Sequence, residues 1–114
     1  MTIKREPNHS GEYLLSEAPG SLSRETVILA GGPTLYGGQL LGQITTSKEY
    51  APYNPAATDG TKKAVAILHN TQPASTTSRP ATVVTRLAEV SRARLTALDA
   101  AAETNLALQN IIVR

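Results

Sequence analysis

The sequence predicts a mainly-β domain with one short helix near its carboxyl end, and three observations lead there. Aliphatic and β-branched residues come in short runs, as in Thr26-Val27-Ile28-Leu29, Val65-Ala66-Ile67-Leu68 and Thr82-Val83-Val84-Thr85, which suits a pleated, half-buried surface. Gly and Pro pairs separate those runs, as Gly31-Gly32-Pro33 and Gly37-Gly38 do, and such punctuation marks turns. A single stretch, residues 96–109, carries apolar residues at helical spacing.

In chain order, residues 1–22 read as an arm and residues 23–114 as the domain. Residues 4–11 are polar and contain Pro7, His9 and Gly11; the apolar island Tyr13-Leu14-Leu15 follows, and Pro19-Gly20 then marks a hinge. Beyond Ser23, strands are expected at residues 24–29, 39–45 and 50–53. A loop should run from Asn54-Pro55 to Asp59-Gly60, with further strands at residues 63–68 and 81–86. Residues 70–80, rich in Thr, Ser and Pro, read as a loop, and the strand from Ala81 should continue toward Val90 with a break near Ala88. Leu95, Leu98, Ala102 and Leu106 share one stripe of the expected helix, with Thr96 and Asp99 as a capping box. Residues 111–114 close the chain as a strand, and no repeat recurs at a fixed period.

Composition narrows the function. The chain has 114 residues, a formal net charge of +2 and no Cys, Trp or Phe. That length suits one core. Without cysteine there is no disulfide framework, thiolate nucleophile or thiolate metal site. Of the apolar residues, 16 are Ala and 25 are Leu, Ile or Val, and the aromatics are Tyr13, Tyr36, Tyr50 and Tyr53. Large aromatics supply much of an ordinary core's burial, so the interior should be thin and assembly its natural support. No apolar run is long enough to cross a bilayer, and the first residues lack the apolar stretch of a secretory signal, so synthesis inside the cell is expected.

The chemistry-bearing residues form no catalytic pattern. His9 and His69 are the whole imidazole supply, and neither has a spaced nucleophile or orienting partner. The two histidines and scattered carboxylates match no metal-ligand spacing, so neither metal nor cofactor is expected. Asp59-Gly60-Thr61-Lys62-Lys63 has the wrong order for a phosphate-binding loop and reads as a turn before a strand. Arg79, Arg86, Arg92 and Arg94 with Lys62 and Lys63 form the rival reading, a small basic nucleic-acid-binding module. Nine acids balance the 11 basic residues, however, and Arg92 and Arg94, two apart on a strand, would share one solvated face.

The order of motifs resembles the lambda-type head decoration proteins of tailed phages. Ser23-Arg24-Glu25-Thr26-Val27, a Gly-rich turn and Leu40-Leu41-Gly42 lead to Tyr50-Ala51-Pro52-Tyr53-Asn54-Pro55-Ala56-Ala57-Thr58-Asp59-Gly60, which is the most specific piece. Ala64 to Leu68, Thr82 to Arg86, Ala88-Glu89-Val90, the Ala-rich helix and Ile111-Ile112-Val113-Arg114 complete a likeness over residues 11–114. Two departures are Val65-Ala66, where the family commonly has a Gly, and Ser91-Arg92, where it often has an Asn-Gly turn. The resemblance implies a β-clip-like fold and a non-enzymatic protein, made in the host cytoplasm, that sits as homotrimers on local threefold axes of the expanded capsid's outer surface. There it would hold the major capsid protein against the pressure of packaged DNA, with neither nucleic acid nor membrane as partner. It also implies a flexible arm that adds a strand to the shell protein's sheet. That role falls on Glu12, Tyr13, Leu14, Leu15 and Ser16; Tyr36, Tyr50, Tyr53, Arg92 and Arg94 are candidate subunit or capsid contacts, the tyrosines serving equally well as buried core residues.

Overall fold

The computed structural model describes residues 14–17 and 23–114. Glu12, Tyr13, the polar run at residues 4–11 and the Pro19-Gly20 hinge lie outside the described residues. The fold is mainly β, with the strands β1 (Leu14–Glu17), β2 (Arg24–Leu29), β3 (Leu40–Gln43), β4 (Tyr50–Pro52), β5 (Ala66–Leu68), β6 (Arg79–Val84), β7 (Ala88–Val90) and β8 (Ile111–Val113). A 3-10 turn spans Arg92–Arg94, and the helix α1 spans Ala100–Leu108.

Five strands close a barrel in the order β2-β4-β3-β5-β6. Its longest ladder joins β2 and β6 antiparallel, from Arg24 opposite Val84 to Leu29 opposite Arg79, and a parallel contact of Leu29 with Tyr50 completes the closure. The other three strands form a separate sheet, β1-β7-β8, in which β7 runs antiparallel to β1 and parallel to β8.

Side-chain alternation explains how so few large hydrophobes fill this molecule. Successive residues of a strand face opposite sides, and in β3, β5 and β6 both sides are covered. Leu41, Ala66, Leu68 and Val83 point into the barrel with Val27, Leu29, Leu35 and Ala81. Their neighbours Leu40, Ile67 and Val84 point outward, into a second core shared with Ala88, Val90 and Ile111 of the small sheet and Ala102 and Leu106 of α1. The thin interior expected from composition is thus two small cores with a common wall. The uninterrupted apolar runs of these strands reflect burial on both faces.

Two glycines allow the chain to fold back over β3. A Cβ on Gly42 would lie 2.5 Å from the Thr61 Cα and 2.9 Å from the Lys63 carbonyl oxygen, so only glycine admits the crossing loop there. Gly60 turns that loop with φ +109°, and the Asp59 carboxylate fixes it by accepting from the Thr61 amide at 3.0 Å and the Thr61 hydroxyl at 2.6 Å. The segment from Asp59 to Lys63 is therefore a turn, as its residue order predicts.

Three expectations need correction. The helix begins at Ala100, and its N-cap is Asp99, whose carboxylate accepts from the Ala102 amide at 2.7 Å. Ala97 has φ +73°, which interrupts the helical pattern, and Thr96 pairs with Gln39 in an extended bridge. Leu95 and Leu98 still pack on the second core, from the loop before the helix. Arg92 and Arg94 lie on the 3-10 turn, because the strand stops at Val90 and Ser91 leads directly into that turn. The expected loop at residues 70–80 yields its last two residues to β6, while Gln72 and Ser75 form bridges with Leu35 and Gly32. The chain turns between barrel and sheet at Leu87, with φ +52°, in keeping with the break expected near Ala88.

Candidate functional site

The candidate site is the small sheet that holds the arm strand. β1 forms one edge of it, and among the described residues no strand lies beyond. Leu14 stands opposite Val90 and packs on the second core; Ser16 stands opposite Glu89 and Glu17 opposite Ala88. The register shifts between Leu14 and Ser16, so Leu15 is the bulged residue, 54% exposed. A bulge at an edge twists the strand and limits indiscriminate pairing.

Polar side chains fasten this short strand at two points. Glu89 is the first: the Ser16 hydroxyl donates to its Oε2 at 2.7 Å, and Arg114 Nε donates to its Oε1 at 2.7 Å. One carboxylate on the central strand thereby ties both outer strands. The Ser16 hydrogen bond first, and Arg114 second, hold the Glu89 carboxyl below its ordinary range. The second point is Glu17, which takes a two-pronged pair from Arg24 at 2.6 and 3.0 Å, joining the arm strand to the first residue of the barrel.

Exposed hydrophobes are scattered around this region. Leu15, Leu87, Leu108 and Ile112 are the large hydrophobes of this half of the molecule that stand exposed, Leu108 at 79%. Next to the sheet, Arg92 donates from its backbone to the Arg114 carbonyl at 3.1 Å, and its guanidinium grips Glu103 of α1 at 2.7 and 2.9 Å. That pairing holds the Glu103 carboxyl low and the Arg92 guanidinium firmly charged.

The other expected contact residues are dispersed. Tyr53 is buried in the second core, where its hydroxyl donates to Asp99 at 3.0 Å; burial, followed by that carboxylate, pushes its phenol upward. Tyr50 packs half-buried on the barrel core, its phenol raised by burial and by Glu25, while Arg86 acts in the opposite sense. Tyr36 is 47% exposed in the connection after β2. Arg94 is exposed on the 3-10 turn. Only Leu14, Leu15, Ser16 and, at its margin, Arg92 come together at the sheet.

Sequence reasoning missed Glu89 and Arg114. The signal for Glu89 was its place between Ala88 and Val90, a polar residue flanked by two that face the core; nothing local announces a partner 25 positions away. The basic residues read as a rival nucleic-acid surface are largely engaged: Arg86 pairs with Glu25, Arg92 with Glu103, and Arg79 donates to the Ala30 carbonyl. Among the described residues there is no cluster of metal-ligating side chains, and no helix is long and apolar enough to cross a membrane.

Fold and site together define a small two-core β domain that offers a strand edge. More specifically, the chain belongs to the family of bacteriophage lambda head decoration protein D, whose family model matches residues 3–111. It is thus a structural protein of the phage virion, and its partner is the capsid. No curated protein matches the chain.

Proposed function

We propose that this protein decorates the outer surface of the expanded head as trimers on local threefold axes and stabilises the shell of major capsid protein against the pressure of packaged DNA. Residues 1–22 act as the capsid-binding arm and residues 23–114 as the body. The observation that carries the reading is the position of β1: it is an edge strand, anchored to its own domain on one side and unpartnered by any described strand on the other. A shell strand that pairs along that outer edge gains directional main-chain hydrogen bonds without displacing β1. Leu15, about half exposed on β1 itself, supplies an apolar contact there.

Three such edges on one trimer would act at high effective concentration, so that weak single attachments become a firm clamp. A ligand that recognises only the expanded lattice shifts the equilibrium toward that lattice. The test is co-sedimentation with expanded shells. The full chain is expected to pellet with shells and a truncation lacking residues 1–21 to remain in the supernatant, with circular dichroism showing that the truncated barrel is folded. Equal binding by the two would overturn the arm mechanism.

A further inference from the structure

We propose that Glu89 is the positioning residue of the arm, holding β1 against β7 so that its outer edge is presented in a fixed register; the inference rests on the decoration reading above. β1 is short, bulged and at a sheet edge, and Leu14 is its one residue packed on the second core. A strand of that kind has few main-chain bonds to fix its place, so the side-chain contacts decide how long it stays docked. Glu89 supplies the one that comes from within the sheet, from the central strand. Its two oxygens are divided between neighbours, Oε2 taking the Ser16 hydroxyl of β1 and Oε1 the Arg114 guanidinium, each at 2.7 Å.

Arg114 is itself held in place: its backbone N–H donates to the Val90 carbonyl at 2.9 Å and its carbonyl accepts from Arg92 at 3.1 Å. The guanidinium therefore pins the Glu89 carboxylate from the β8 side and leaves the other oxygen aimed at β1. The Glu17 pair with Arg24 ties the end of the strand to the barrel, one residue beyond the pairing of Ser16 with Glu89. Glu89 thus fixes the register at the position directly after the bulge, where a one-residue slip would turn every following side chain to the other face.

Hydrogen–deuterium exchange on the full chain reads this directly. Glu89→Ala, and separately Ser16→Ala, are expected to speed exchange in residues 14–17 by about threefold to tenfold, the range that one hydrogen bond's net contribution implies. Exchange in β2 and β6 should stay at the wild-type rate, and Glu25→Gln, on the barrel, should leave residues 14–17 unchanged. Unchanged exchange of residues 14–17 in both Glu89→Ala and Ser16→Ala would overturn the proposal; should Glu89→Ala fail to fold, Ser16→Ala alone decides. Shell binding provides the second readout, since a released strand should weaken it. If β1 is released and shells bind as before, the positioning role is wrong while the decoration reading stands; if the wild-type chain ignores shells, the decoration reading itself fails.

Discussion

Asp99 shows how much one side chain can organise in a chain poor in aromatics. Its Oδ1 caps α1 by accepting from the Ala102 amide, and the same carboxylate receives the hydroxyl of Tyr53, the sole aromatic of the second core among the described residues. Helix start and core tyrosine are therefore coupled. Asp99→Ala should lower unfolding free energy by about 0.5–2 kcal/mol through the lost cap, and Tyr53→Phe by about 0.5–1.5 kcal/mol through the lost hydrogen bond. The double variant, measured by urea denaturation, should lose less than the sum, because the two changes share an interaction. Two residues earlier the effect reverses in sign. Ala97 sits at φ +73°, where an L side chain is strained and glycine is not. Ala97→Gly is expected to stabilise the protein by roughly 1 kcal/mol in the same assay, whereas the same exchange at Ala102, inside the helix, would destabilise it.

At the scale of the element, legibility depended on whether a residue's burial comes from its own strand or from a distant partner. β2 was readable to the residue, because Arg24–Leu29 has a β-branched run ended by glycine. β3, β5 and β6 were readable as strands, but their division between two cores was not, since an apolar run looks the same whether one or both faces are covered. The spacing places the helix start four residues before Ala100: Leu95 and Leu98 do face the second core, but from a loop, and spacing alone cannot tell those backbones apart. Within the site, the apolar island was visible and the Glu89 fastening was not, because its partners come from strands far along the chain.

The fastenings make the small sheet and helix sensitive to acid. Glu89 is held low by Ser16 and then Arg114, and Glu103 by Arg92, each against an ordinary value of 4.5. A carboxyl with a lowered folded value contributes stability that is complete above its unfolded value and disappears as pH falls through the folded one. The melting temperature should therefore be level from neutrality to about pH 5 and fall below that. Glu89→Gln should flatten part of that fall, and a profile identical to wild type would remove Glu89 from the account.

For the whole molecule, the separation of barrel and sheet assigns different tasks to the two halves. The barrel is closed, so it presents no strand edge and is suited to be a rigid body. The small sheet keeps an open edge at β1, and Leu15 and Ile112 on its two outer strands are exposed. In a free monomer an open strand edge is a liability for aggregation; in the proposed decoration role it would be the attachment point. The absence of Cys, Phe and Trp acquires a meaning in this setting. A body with two small cores is adequate when neighbours on a shell supply the remaining support. A density map of the protein bound to expanded phage shells is the most direct test. A strand of the shell protein is expected along the outer edge of residues 14–17, with β1 still docked on β7. A bound protein whose β1 edge is bare, or whose contacts come entirely from the barrel, would contradict the proposed attachment.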